Sequence, residues 1–98
     1  MEIKVIEKGK NSILLEFKDA DIGFCYAIVK QLLLDKRVLN AWANKPHPLE
    51  PIIKMYILTD GSITPKNALQ EALNKIENTL QQLKQNFIAE INKSATPE

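Results

Sequence analysis

The chain is poor in the residues from which most compact active sites are built. It carries one cysteine, one histidine, three glycines and six aromatic side chains. Each shortage excludes something. Cys25 alone can form neither an internal disulfide nor a cysteine-based metal site, and within an apolar run it reads as a small buried hydrophobe. His47 has no second histidine or cysteine with which to bind a metal, so no metal and no other cofactor is expected. Three glycines leave no glycine-rich phosphate loop, and no nucleophile elbow occurs. Thirteen basic residues against twelve acidic ones give a formal net charge of +1. That balance lacks the concentrated positive charge that duplex binding requires, so no direct sequence-specific nucleic-acid binding is expected. No apolar run approaches the ~20 residues that cross a bilayer. The opening "MEIKVIEKGK" alternates charged and apolar residues, unlike a signal peptide. The expectation is a cytoplasmic protein with no membrane partner.

What is present is amphipathic pattern. Ninety-eight residues with 45% apolar and 26% charged side chains suit one globular domain. In residues 2–18, Ile3 and Val5, then Ile13, Leu15 and Phe17, recur with period two, predicting a hairpin with one buried face around the turn Gly9-Lys10-Asn11. Asp19 and Asp21 suit a helix start, and a helix is predicted from there to about Asp35. Between Ile22 and Leu34 only Gly23, Lys30 and Gln31 are not apolar. One stripe holds Ile22, Cys25, Tyr26, Val29, Leu32 and Leu33, while Phe24, Ala27, Ile28 and Leu34 cover much of the remainder. So wide an apolar surface needs more than one sheet to pack against. "RVLNAWAN" and "PIIKMYILTDG" predict two further strands. Between them "KPHPLEP" holds three prolines, which cannot donate to a ladder, so His47 is placed in a rigid loop. Thr64 and Pro65 open a last helix, predicted to about Lys93. Leu69, Leu73, Ile76, Leu80, Leu83, Phe87 and Ile91 run along it at steps of four and three. At 1.5 Å per residue such a helix reaches about 40 Å, whereas short strands span ~20 Å, so it should overrun its own sheet.

The predicted fold class is therefore α+β: a four-stranded, largely antiparallel sheet in the order strand, strand, helix, strand, strand, long helix, with the helices on one face. Residues 1–93 form the single domain and 94–98 a disordered tail. The aromatic residues are expected to be mostly core. Apolar surface too large for its own sheet marks an interaction site. The residues expected to meet a partner are Phe24, Ile28, Leu32 and Leu33 of the first helix and Leu73, Ile76, Leu80, Leu83 and Phe87 of the last.

The segment "HPLEPIIKMYILTDGSITPKNAL", residues 47–69, resembles subunit L of archaeal DNA-directed RNA polymerase. His47, Pro48 and Leu49 match one element of that family's pattern, Thr59, Asp60 and Gly61 a second, and the order of elements agrees along the chain. Asp21 matches the start of the family's first-helix motif, Asp-His-Thr-Leu-x-Asn-Leu. There, however, Ile22 stands for the histidine, Gly23 for the threonine and Tyr26 for the asparagine, so any contact those residues make is not carried over. The resemblance implies an α-like dimerisation domain related to that of the bacterial polymerase α subunit. It further implies a heterodimer with the larger α-like polymerase chain known in archaea as D. In that pair the helices pack together with the sheets outside, and the pair serves as the platform for assembly. Two small polymerase subunits, N and P, and the large catalytic subunits would join that platform. The chain would then be a component of a nucleotidyltransferase without an active site of its own. Two other readings remain open from the residues: a stand-alone α+β module binding RNA or a small ligand, and a small enzyme in which Asp19, Asp60 and His47 converge.

Overall fold

The computed structural model describes residues 2–94. Its elements are β1 (Glu2–Lys8), β2 (Ser12–Lys18), α1 (Ile22–Leu33), β3 (Val38–Asn44), β4 (Ile52–Thr59) and α2 (Pro65–Ser94). The four strands form one sheet in the order β1-β2-β4-β3, with every neighbouring pair antiparallel. The α+β fold expected from the periodicities is thus the one observed, with both helices on one face. Residues 95–98, most of the expected tail, lie outside the described residues, and α2 itself includes Ser94.

Local chemistry explains the boundaries. Gly9 donates its backbone N–H to the Ser12 carbonyl and closes the first hairpin at 2.9 Å. Asp21 caps α1, its carboxylate accepting from the Gly23 backbone N–H at 3.1 Å. The connection from β4 to α2 is more elaborate. Gly61 has φ 96°, a conformation that costs glycine little. Asp60 accepts from both the backbone N–H and the hydroxyl of Ser62. The buried Thr59 hydroxyl donates to the Ile63 carbonyl at 2.7 Å. Thr64 then caps α2, accepting from the Asn67 N–H at 3.1 Å.

The core lies between the sheet and the helices. Ile13, Leu15 and Phe17 of β2 and Ile53, Met55 and Ile57 of β4 face inward, joined by Val38 and Ala41 from β3. From α1, Cys25, Ile28 and Leu32 close over them. That spacing of three and four residues corrects the expected stripe: Tyr26 and Leu33 lie on the other side, 52% and 51% exposed. From α2, Pro65, Ala68 and Ala72 are buried, with Leu69 and Ile76 partly so. Small residues bring this end of α2 close to the sheet.

Two other expectations require correction. The period-two pattern of β1 predicts one buried face, yet all seven of its residues are exposed, because this edge strand lies beyond the helices, which pack over β3, β4 and β2. The aromatic residues are mostly not core. Phe17 is buried, whereas Phe24, Tyr26, Trp42 and Phe87 are exposed. Trp42 stacks on Tyr56 across the strand pair, on the sheet face that carries no helix, with ring centroids 5.7 Å apart.

Candidate partner interface

A helix lying on a sheet turns about one third of its circumference inward and gives the rest to water. In α1 and its C-cap the outward part is unusually apolar: Phe24 is 37% exposed and the C-cap Leu34 77% exposed, beside Tyr26 and Leu33. The sequence predicts this excess, since only three residues between 22 and 34 are not apolar. Of the four α1 residues expected to meet a partner, Phe24 and Leu33 are available to one. Ile28 and Leu32 are instead 1% exposed and belong to the chain's own core. They lie four apart on the inward line, where the sheet already covers them.

Along α2 the change is abrupt. The helix packs on the sheet and α1 through its opening turns, as far as Ile76. From residue 77 to residue 93 every residue is exposed. Leu80, Leu83 and Phe87 are among them, 57%, 63% and 64% exposed, and Ile88 and Ile91 extend the bare surface. With 30 residues α2 is about 45 Å long at 1.5 Å per residue. The eight residues of β4 reach about 26 Å. The helix therefore leaves its own domain, and the molecule's longest dimension is 61 Å.

Between the two helices runs an open apolar cleft of about 440 Å³, floored by Ala27, Leu34, Ile76 and Leu80 and edged by Lys30 and Gln31. Leu73 lies further back along α2, 37% exposed. The nine residues expected at the interface thus divide by position. Six are exposed, Ile76 lines the cleft, and two are core. Tyr26, Leu34, Ile88 and Ile91 are exposed apolar residues outside that set. Leu34 and Ile91 were legible as greasy positions, but only burial distinguishes an outward residue from an inward one.

The root of α2 is held by charge as well as by packing. Arg37, just before β3, binds the Asp35 carboxylate with two side-chain hydrogen bonds and reaches Glu71 of α2 at 2.6 Å. The Arg37 hydrogen bonds hold the Asp35 carboxyl down at about 2 and keep Arg37 itself firmly protonated. Hydrogen bonds from Ser62 likewise lower Asp60. Burial, and secondarily the Asp21 carboxylate, pushes the Cys25 thiol up, in keeping with an inert core residue.

The family-pattern residues occupy two ends of the sheet. Asp21 caps α1, and His47, Pro48 and Leu49 form the loop between β3 and β4 near it, with the Asp19 N–H donating to the Pro51 carbonyl. Leu49 is 99% exposed. Thr59, Asp60 and Gly61 lie at the far end of β4 and build the α2 joint described above. Asp19 and His47 are therefore separated from Asp60 by the length of β4, and the three do not form one cleft. Among the described residues, no three His, Cys, Asp or Glu side chains cluster so as to hold a metal ion. No helix among them is long and apolar enough to cross a membrane.

Comparison with known proteins agrees with this geometry. Residues 12–86 match the family described as the RNA polymerase Rpb3/Rpb11 dimerisation domain. The chain is 40% identical over 76 residues to DNA-directed RNA polymerase subunit Rpo11 of Saccharolobus solfataricus, spanning 78% of this chain and 83% of that one. It is 38% identical over 77 residues to the Rpo11 subunit of Sulfurisphaera tokodaii, spanning 79% and 83%. The crystal structure of DNA-directed RNA polymerase subunit L from Thermoplasma acidophilum superposes with a TM-score of 0.84 and 26% identity, covering 99% of this chain and 97% of that one.

Proposed function

The chain belongs to the RNA polymerase Rpb3/Rpb11 dimerisation-domain family, and from that membership we propose that it is subunit L of an archaeal DNA-directed RNA polymerase. In this reading it is a non-catalytic assembly subunit. It buries its outward helix surface against the α-like D chain, and the heterodimer is the platform on which the small N and P subunits and the large catalytic subunits assemble in the cytoplasm. Residues 1–93 act as one dimerisation domain.

One observation carries the reading. The apolar stripe of α2 continues through Leu80, Leu83 and Phe87 after the chain's own sheet has ended. Apolar surface of that extent is stable in water only where another polypeptide covers it, at roughly 25 cal/mol for each Å² removed from solvent. Phe24, Leu33, Leu73, Leu80, Leu83 and Phe87 are the contact residues. Ile76 lines the cleft beneath them, and Ile28 and Leu32 support α1 from behind. A stand-alone module for RNA or a small ligand would have no use for a bare stripe reaching beyond its domain. The chemistry of RNA synthesis then resides in other subunits of the complex, and this chain contributes alignment of its partners.

Size-exclusion chromatography of the chain alone and after co-expression with the α-like D chain tests the proposal. The expected outcome is a one-to-one complex. A chain that elutes as a clean monomer and ignores that partner would refute it.

A further inference from the structure

The helix-bearing face of the sheet is not fully roofed. α1 lies over β3, and the first turns of α2 lie over β4 and β2. β1 has no comparable helix cover, and all seven of its residues are exposed. On that strand Ile3 pairs with Phe17 and Val5 with Leu15, and directly paired residues point to the same face of a sheet. Phe17 and Leu15 are buried under the helices. Ile3 and Val5 therefore face the helix layer, yet they are 56% and 53% exposed. They form an apolar shelf one strand beyond the covered core.

The molecule thus displays two complementary features, a projecting apolar rod and a bare apolar shelf. The rod, residues 77–94, is about 27 Å long at 1.5 Å per residue. The shelf strand, with seven residues, is about 23 Å long. In a pair of like-folded chains related by a two-fold axis, whatever the first presents to the second is presented back. We propose that Ile3 and Val5 of β1 are part of the partner interface and receive the projecting half of the long helix of an α-like partner, while Leu83 and Phe87 lie on the corresponding edge strand of that partner. This rests on the heterodimer reading above and adds the sheet edge to a helix-only interface. The shelf lies on the same layer as the α2 stripe, so one continuous partner surface covers both.

The I3K/V5K double variant tests this by pull-down and titration with the α-like D chain. Both side chains are more than half exposed in the free chain, so the variant alone melts within a few degrees of wild type. Its affinity for the D chain falls by about 100-fold, because association would bury two unpaired ammonium groups. Equal binding of wild type and variant overturns the shelf proposal and leaves the heterodimer intact. Failure of wild type itself to bind the D chain overturns both. A variant that misfolds is replaced by V5C, whose thiol is exposed while Cys25 is fully buried. Maleimide labelling of that thiol slows at least about 10-fold when the D chain is added, as burial in an interface requires. An unchanged labelling rate refutes the proposal.

Discussion

At the scale of single residues, exposure separates side chains held in this chain's own core from those left open to a partner. Leu32 and Leu33 are neighbours of the same type, 1% and 51% exposed. Leu32 substitutions are expected to act on folding, and Leu33 substitutions on the proposed pairing. Leu33→Lys or Leu80→Lys leaves the melting temperature of the free chain nearly unchanged, since the ammonium stays in water. In the complex the same charge is buried without a partner at a cost of several kcal/mol, so affinity for the α-like partner drops by about 100-fold or more. Titration calorimetry measures it, and normal affinity would contradict the assignment of these residues. Asp35 gives a second, independent expectation. Its carboxyl is held at about 2 by Arg37, below the roughly 3.9 of an unfolded chain. A group lowered on folding contributes stability that is fully present above the unfolded value and is lost as pH falls through the folded one. Stability therefore declines between about pH 4 and pH 2 on account of this group. Thermal melts of Asp35→Asn across that window check it: the decline is shallower than in wild type. An identical pH profile would count against the ion pair.

At the scale of elements, α2 is two segments in one helix. Its first turns are core, anchored by Ala68 and Ala72, by the Arg37–Glu71 ion pair and by the Thr59–Ile63 hydrogen bond. From residue 77 to residue 93 it is exposed throughout. A chain ending after Thr79 keeps every buried contact of α2 and folds with a melting temperature within a few degrees of full length. It no longer joins the α-like partner, because the projecting stripe is gone. Circular dichroism reads the first outcome and pull-down the second. Loss of folding would mean that the distal half stabilises the domain itself. Much of this element was legible beforehand. Thr64, Pro65 and the four-three spacing of leucines announced a long amphipathic helix that outruns a small sheet. The division between its halves was not legible, because Leu69 and Leu83 belong to the same stripe and differ only in what lies opposite. The inward face includes the small Ala68 and Ala72, which periodicity does not single out as core. β1 misleads for the same reason. Its alternation is that of a half-buried strand, but burial depends on a roof that ends one strand short.

At the scale of the whole molecule, a 61 Å body carries a sheet whose strands span less than half that length. Such a shape is that of half an assembly. In the proposed pairing the α-like partner binds the folded chain and not the unfolded one, so adding it is expected to raise the melting temperature in a concentration-dependent way. The surface proposed to be buried is chiefly apolar, so association is expected to carry a negative heat-capacity change. Differential scanning and isothermal titration calorimetry measure both. A melting temperature indifferent to the partner would contradict the proposed pairing.

The amino-acid sequence by itself determined the secondary structure, its order and the excess of apolar residues on two helices. Those properties follow from local preference and period, which reside in neighbouring residues. It also carried the family pattern at His47–Leu49 and Thr59–Gly61, which pointed to a polymerase dimerisation domain. Only the tertiary structure decided where the excess is exposed. Packing places Ile28 inward and Phe24 outward, ends the core contacts of α2 at Ile76, and leaves Ile3 and Val5 uncovered at the sheet edge. Exposure is a relation between distant segments, and no short stretch of chain contains it.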